Sequence, residues 1–281
     1  MKYSMNFKRK LNLINDKVFN ISRKIFHHIS QRTLYIDDQI APELNNVIPN
    51  IVYQTWVSRS VPRRLGREIK RFRGLNKDFS FKIFSDQERD QYMSNFWSDS
   101  EIYNIYSKAI FEPCKADIFR YCIIYERGGF YFDIKSGCDL PLSKLKHSNG
   151  AIISHEASQT IIPPNKNYIK TTDYPFNLIE NWSFAFKPKH PFLKLLIEKI
   201  IEFAPSIKGR VFVNPKSGIL AFTGPGMMTN VFQIYNSKVE DYITPNGIDL
   251  NGAGQYALRG SDLRFKLSAS YTRIKNSKIL N

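Results

Sequence analysis

Residues 115–133, KADIFRYCIIYERGGFYFD, constrain this chain more than any other stretch. An apolar run at helical spacing carries Asp117 and Arg120 three residues apart and stops at Gly128-Gly129. A short aromatic strand, Phe130-Tyr131-Phe132, then delivers Asp133 to its C-terminal end. In an open α/β sheet, ligands bind outside the C-terminal ends of the strands. Two short elements therefore aim two acids and one Arg at one place. Many arrangements would satisfy packing alone, and few of them would put charge there.

The flanking sequence extends the same pattern. Ile51-Val52-Tyr53, Phe81–Phe84, Ala151–Ile153 and Trp182–Phe186 read as strands, each short and either apolar or alternating. Helices are expected after Pro62, after Ser85, from Pro191 to about Phe203, and from Met227 to Tyr235. Ser85 with Glu88 three residues on forms a capping box, and Pro191 sits in a first turn where its missing N–H is harmless. Strands alternating with helices indicate an α/β domain with a mostly parallel central sheet flanked by helices. The expected division is an N-terminal extension over 1–40 and one domain over 41–281, with residues 37–47 a polar linker.

Apolar residues make up 42% of the 281, enough for a full core, and the net charge of +16 points to an anionic partner. Residues 1–32 hold eight Lys/Arg against one Asp, with Leu11, Ile14, Val18, Ile21, Ile25 and Ile29 at helical spacing. That is a basic amphipathic helix, suited either to an anionic membrane surface or to packing on the domain with its charges in water. No stretch approaches the ~20 apolar residues of a membrane span, and no signal peptide is visible. Cys114, Cys122 and Cys138 form neither a CxxC pair nor a disulfide framework, so a reducing, cytoplasmic setting is expected, peripheral to the inner face of the membrane. P-loop, GxGxxG, GxSxG, zinc-finger and RNA-recognition patterns are absent.

Each candidate residue has a functional and a plain reading. Asp133 can hold a divalent cation or cap the Ser136-Gly137 turn. Asp117 and Arg120 share a helix face, so they can bind sugar hydroxyls and phosphate or pair with each other. Trp56, after Gln54-Thr55 at a strand end, can stack on a flat ring or fill the core. Gly224 and Gly226, in Thr223-Gly224-Pro225-Gly226, can let a phosphate approach the backbone or make a tight turn. His190, before Pro191, reads as structural.

Five segments in order, IPNIVYQTW at 48–56, FKIFSDQERDQYM at 81–93, KADIFRYCIIYERGGFYFDIK at 115–135, FAFKPKHPF at 184–192 and TGPG at 223–226, resemble glycosyltransferase family 32, the sugar transferases with a DxD motif. The resemblance implies a GT-A, Rossmann-like nucleotide-sugar-binding fold, a nucleotide-sugar donor and a divalent metal such as Mn²⁺. By that analogy Gln54, Thr55 and Trp56 line the base and ribose, and Asp117 and Arg120 hold the donor sugar. Tyr131 sits near the nucleotide or diphosphate, and Asp133 is the first acid of the metal-binding motif.

The chain departs from the pattern at Lys135, where the second acid is expected. Either Asp133 binds the metal with Asp139 or a C-terminal group, or the Lys135 ammonium itself neutralises the diphosphate. The expected function is transfer of a sugar, with retention, to a glycan or lipid-linked acceptor in surface polysaccharide synthesis. The alternative is a basic nucleic-acid- or membrane-binding protein with a degenerate transferase site.

Overall fold

The computed structural model describes residues 33–156, 178–237, 242–249, 252–261 and 273–281. The basic segment 1–32 and the loop after 156 therefore lie largely or wholly outside the described residues. Strands are β1 (Thr33–Tyr35), β2 (Ile51–Thr55), β3 (Ser60–Pro62), β4 (Ser80–Phe84), β5 (Gly129–Phe132), β6 (Gly137–Cys138), β7 (Ala151–Ile152), β8 (Ser183–Phe186), β9 (Val211–Phe212), β10 (Gly254–Gln255) and β11 (Ser277–Lys278). Helices are α1 (Arg63–Leu75), α2 (Asp86–Trp97), α3 (Glu101–Lys108), α4 (Glu112–Arg127), α5 (Pro191–Ile207), α6 (Pro215–Phe222) and α7 (Pro225–Asn236). Among the described residues no helix is long and apolar enough to cross a membrane.

The α/β class is as expected, but the central five-stranded sheet, ordered β4-β2-β5-β8-β7, is mixed. Its β4-β2-β5 half is parallel, whereas β8 runs antiparallel to both β5 and β7. The mostly parallel sheet read from the sequence is thus correct for one half only. The antiparallel insertion has a consequence for the site. It lays the start of β8 beside the end of β5, pairing Phe132 with Ser183, so the residues before β8 meet those after β5.

Segment 33–41 is bound to the domain rather than free of it. β1 pairs with β3, and Gln39 bridges to Phe81 and donates through Nε2 to the carbonyls of Asn76 and Phe79. The capping box on α2 is present, Ser85 N–H reaching Glu88 at 2.8 Å and Glu88 N–H reaching Ser85 Oγ at 3.2 Å.

α4 is buried through its middle, every residue from Asp117 to Ile124 being buried, while Glu112, Glu126 and Arg127 at its ends are exposed. Its apolar side packs into one cluster with Tyr131, Phe184, Phe192 and Met228 from β5, β8, α5 and α7. The chain then turns directly into β5 through two glycines at φ +66° and +96°. Side chains there would also collide, a Cβ on Gly128 falling 2.6 Å from Pro188 and one on Gly129 falling 2.8 Å from the Ile51 carbonyl oxygen. The glycine pair is what allows a buried helix to feed an adjacent central strand without a loop. Gly129→Ala is expected to destabilise the domain by about 2 kcal/mol or more, from a disfavoured φ and a backbone clash, read by urea unfolding.

His190 caps α5, its Nδ1 accepting from Phe192 N–H at 3.1 Å while Nε2 lies 3.2 Å from the Asn149 carbonyl. Burial, with Lys187 near, holds the ring's pKa down at about 4 even though the Asn149 carbonyl favours its charge. Because that value lies below the unfolded one, the stability His190 contributes is complete above about 6.5 and is lost as pH falls toward 4. His190→Gln is expected to flatten that part of the pH–stability curve, measured by thermal melting across pH 4–8.

Candidate donor-sugar and diphosphate site

The C-terminal ends of β2, β4 and β5 lie at one edge of the sheet, with Thr55 beside Phe84 and Tyr53 beside Tyr131. At that edge α4 presents Asp117 and Arg120, and β5 ends in Asp133. Arg120 stands between the two acids, with Nη2 3.2 Å from Asp117 and 3.2 Å from Asp133. Its Nη1 donates to the Asn181 carbonyl at 2.6 Å, its Nε to Ala116 O at 3.3 Å, and its plane lies 4.4 Å over the Tyr131 ring. Burial opposes the charge on Arg120, but Tyr131, Asp133 and Asp117 outweigh it and raise its pKa. The guanidinium is thus a permanent cation whose fork is filled by protein groups.

Asp117 is buried and accepts from Asn181 Nδ2 at 3.1 Å and from Thr223 Oγ1 at 3.0 Å. Burial pushes its carboxyl up to about 6, against Arg120 and these two donors, which pull it down. Oδ2 receives only Thr223, leaving it a further acceptor position. Tyr121, one turn further along α4, donates to the Thr223 carbonyl at 2.8 Å and braces the same corner.

Asp133 is partly open to solvent. Its Oδ1 faces Arg120 and accepts from the Tyr131 hydroxyl at 3.2 Å, and no partner for Oδ2 is found among the described residues. Its N–H donates to the Trp182 carbonyl at 2.8 Å, the bond that ties β5's end to β8's start. The turn that follows is closed by the backbone, Ser136 N–H donating to the Asp133 carbonyl at 2.8 Å, and not by the Asp133 side chain.

The structure therefore gathers Asp117, Arg120, Tyr131 and Asp133, and adds Asn181 and Thr223. It disposes the other sequence candidates differently. Gln54 is buried toward α1, its Oε1 3.4 Å from Arg73 Nη2 and its Nε2 without a partner among the described residues. The Thr55 hydroxyl donates to Phe84 O at 3.1 Å, and Trp56 packs beside Val61, Leu65 and Ile83. Gly224 and Gly226 press on α6, where Cβ atoms would fall 2.9 Å from Leu220 Cα and 2.8 Å from Leu220 O. In the TGPG turn, the glycines serve close packing, and the polar contribution to the site is Thr223. Lys135 joins Tyr256, Nζ to Oη at 3.0 Å.

A divalent metal of the DxD type needs several hard oxygen ligands. Asp133 offers one open oxygen, and Lys135 offers none. Asp139, the other candidate acid, is turned to Arg71 at 3.0 Å and to Gln255. Among the described residues no group of three or more His, Cys, Asp or Glu is set to hold a metal. Among the described residues, Asp133 is thus the only acid at this strand end with an open oxygen, which is short of the Mn²⁺ site expected there; the C-terminal group expected as a further ligand falls in a stretch of which 262–272 lies outside the described residues.

Comparison with known proteins agrees with the geometry. Residues 62–159, which contain α4, β5 and Asp133, match the family described as "Glycosyltransferase sugar-binding region containing DXD motif". The chain is 27% identical over 220 residues to the initiation-specific alpha-1,6-mannosyltransferase of Candida albicans, covering 68% of this chain and 54% of that one. It is 28% identical over 176 residues to inositol phosphoceramide mannosyltransferase 1 of Schizosaccharomyces pombe, covering 59% and 47%. It spans about half the length of these curated relatives. The PaToxG glycosyltransferase has a TM-score of 0.48 at 13% identity, covering 80% of this chain and 79% of that one, a likeness too distant to bear on function. Residues 62–159 are thus similar to a glycosyltransferase sugar-binding region, and the chain is similar to these mannosyltransferases.

Arg120→Ala strands two acids, one of them buried, and is expected to cost about 3–5 kcal/mol of stability. Arg120→Lys should recover only part of it, because an ammonium cannot span the same acceptors. Urea unfolding of both variants checks this.

Proposed function

We propose that this chain moves a hexose from a nucleotide-diphospho-sugar to a glycan or lipid-linked acceptor. The observation that carries the reading is the pair of acids locked by Arg120 at the C-terminal strand edge, each with an acceptor position still open. Asp117 Oδ2 suits a sugar hydroxyl, and Asp133 Oδ2, half a step outward, suits a second hydroxyl. The sugar–phosphate bond breaks as its electron pair passes to the diphosphate. The acceptor oxygen bonds the anomeric carbon and passes its proton to the departing diphosphate. Positive charge builds on the sugar next to two carboxylates, and negative charge builds on the leaving group. A fixed electrostatic contact of this kind is typically worth ~10²–10³ in rate.

The names of the relatives, an initiation-specific alpha-1,6-mannosyltransferase and an inositol phosphoceramide mannosyltransferase, support a mannosyl or similar hexosyl donor. Retention of anomeric configuration and a place in surface-glycan synthesis rest on the family resemblance. A lipid-linked acceptor would also suit the basic segment 1–32, which we place peripherally on an anionic membrane face.

Turnover of a nucleotide-sugar panel tests the reading. One donor is expected to be consumed, and Asp133→Ala or Asp117→Asn should lower its kcat/KM by about 10²–10³ at a temperature where thermal melting shows each variant still folded, the melting temperature itself falling because the buried Arg120 loses a partner. Wild-type-like turnover in either variant would remove that residue from the site. The raised Asp117 carboxyl gives a pH test. It must be ionised to accept a hydroxyl, so kcat/KM is expected to fall as pH drops below about 6. In Asp117→Asn that limb should vanish.

A further inference from the structure

Position 135 is where the chain breaks the DxD spacing, reading Asp133-Ile134-Lys135. The Lys135 side chain is held in place. Nζ donates to the Tyr256 hydroxyl at 3.0 Å and lies 4.3 Å above the centre of that ring. Tyr256 packs edge-on against Trp182 at 5.8 Å, and Trp182 supplies the carbonyl that receives Asp133 N–H. The backbone is fixed as well, Leu258 N–H donating to Lys135 O and the Ser136 hydroxyl to Tyr256 O, both at 2.7 Å. An ammonium is thus fastened to the same rim as Asp133. Burial works against its charge, yet Asp133 and Tyr256 together raise its pKa. A cation pinned beside a single open carboxylate opposes a divalent metal and attracts a diphosphate.

We propose that Lys135 is the diphosphate-binding cation of this site, and that nucleoside diphosphates bind here without a divalent metal. Lys135 replaces the metal in charge, Tyr256 fixes where that charge sits, and the open Asp133 oxygen accepts from a hydroxyl. The proposal rests on the transferase reading and deepens it.

The test is calorimetric titration of the full chain with UDP, GDP, ADP and CDP, each in EDTA and in Mn²⁺. At least one is expected to bind in EDTA, with Mn²⁺ changing its Kd less than about threefold. Lys135→Met should weaken that diphosphate about tenfold or more and leave the matching nucleoside unaffected. Lys135→Asp, which restores the family spacing, should lose binding in EDTA and regain it with Mn²⁺. Thermal melting confirms that both variants are folded. Binding that needs Mn²⁺ in the natural chain, or survives Lys135→Met unchanged, would overturn the proposal and leave the transferase reading standing. No binding of any diphosphate in either condition would overturn both.

Discussion

The guanidinium of Arg120 is the interaction on which the site depends. It joins a helix, the end of β5 and the start of β8 through Asp117, Asp133 and the Asn181 carbonyl. A cation buried this deeply is tolerable only when its donors are matched, and here the acids and carbonyls are supplied by three separate pieces of chain. Those pieces cannot move independently without exposing an unpaired charge in an apolar setting. The result is a pair of carboxylates whose spacing is set by protein contacts before any substrate arrives, which is what electrostatic stabilisation of a developing charge requires.

The surrounding elements serve that arrangement. The Gly128-Gly129 turn brings α4 and β5 together with no intervening loop, so Asp117 and Asp133 meet the same side chain. The antiparallel course of β8 brings the residues just before it, Asn181 and Trp182, to the height of Asp133. The α6–α7 turn brings Thr223 to the far side of Asp117, possible because Gly224 and Gly226 let the two helices touch backbone to backbone. Cations and acids thus alternate along the rim, from Asp117 through Arg120 and Asp133 to Lys135.

What the sequence discloses is local. The amphipathic run ending at Gly-Gly, the aromatic strand and the terminal Asp133 are read directly, because period and punctuation lie within 19 residues. The capping box at Ser85 and the helix opening at Pro191 are legible for the same reason. Asn181, Thr223 and Tyr256 are not, because each partner is distant in the chain: 64 residues from Asp117, 106 from Asp117 and 121 from Lys135. A faint signal for Asn181 exists, a polar residue next to Trp182 before an apolar strand. Gln54, Thr55 and Trp56 illustrate the opposite case. Their position at a strand end is foreseeable, but whether each side chain turns to the crevice or to the core is decided by Arg73, by Phe84 and by the cluster around Leu65. Lys135 is legible as a departure, yet its meaning depends on Tyr256.

The central claim is that the rim binds a sugar diphosphate with its sugar at Asp117 and its phosphates at Lys135. A crystal structure with the consumed nucleotide sugar, grown without divalent metal, tests it most directly. A sugar hydroxyl is expected within ~3 Å of Asp117 Oδ2 and a phosphate oxygen within ~3 Å of Lys135 Nζ. A donor seated elsewhere on the chain, or phosphates turned away from Lys135, would contradict it.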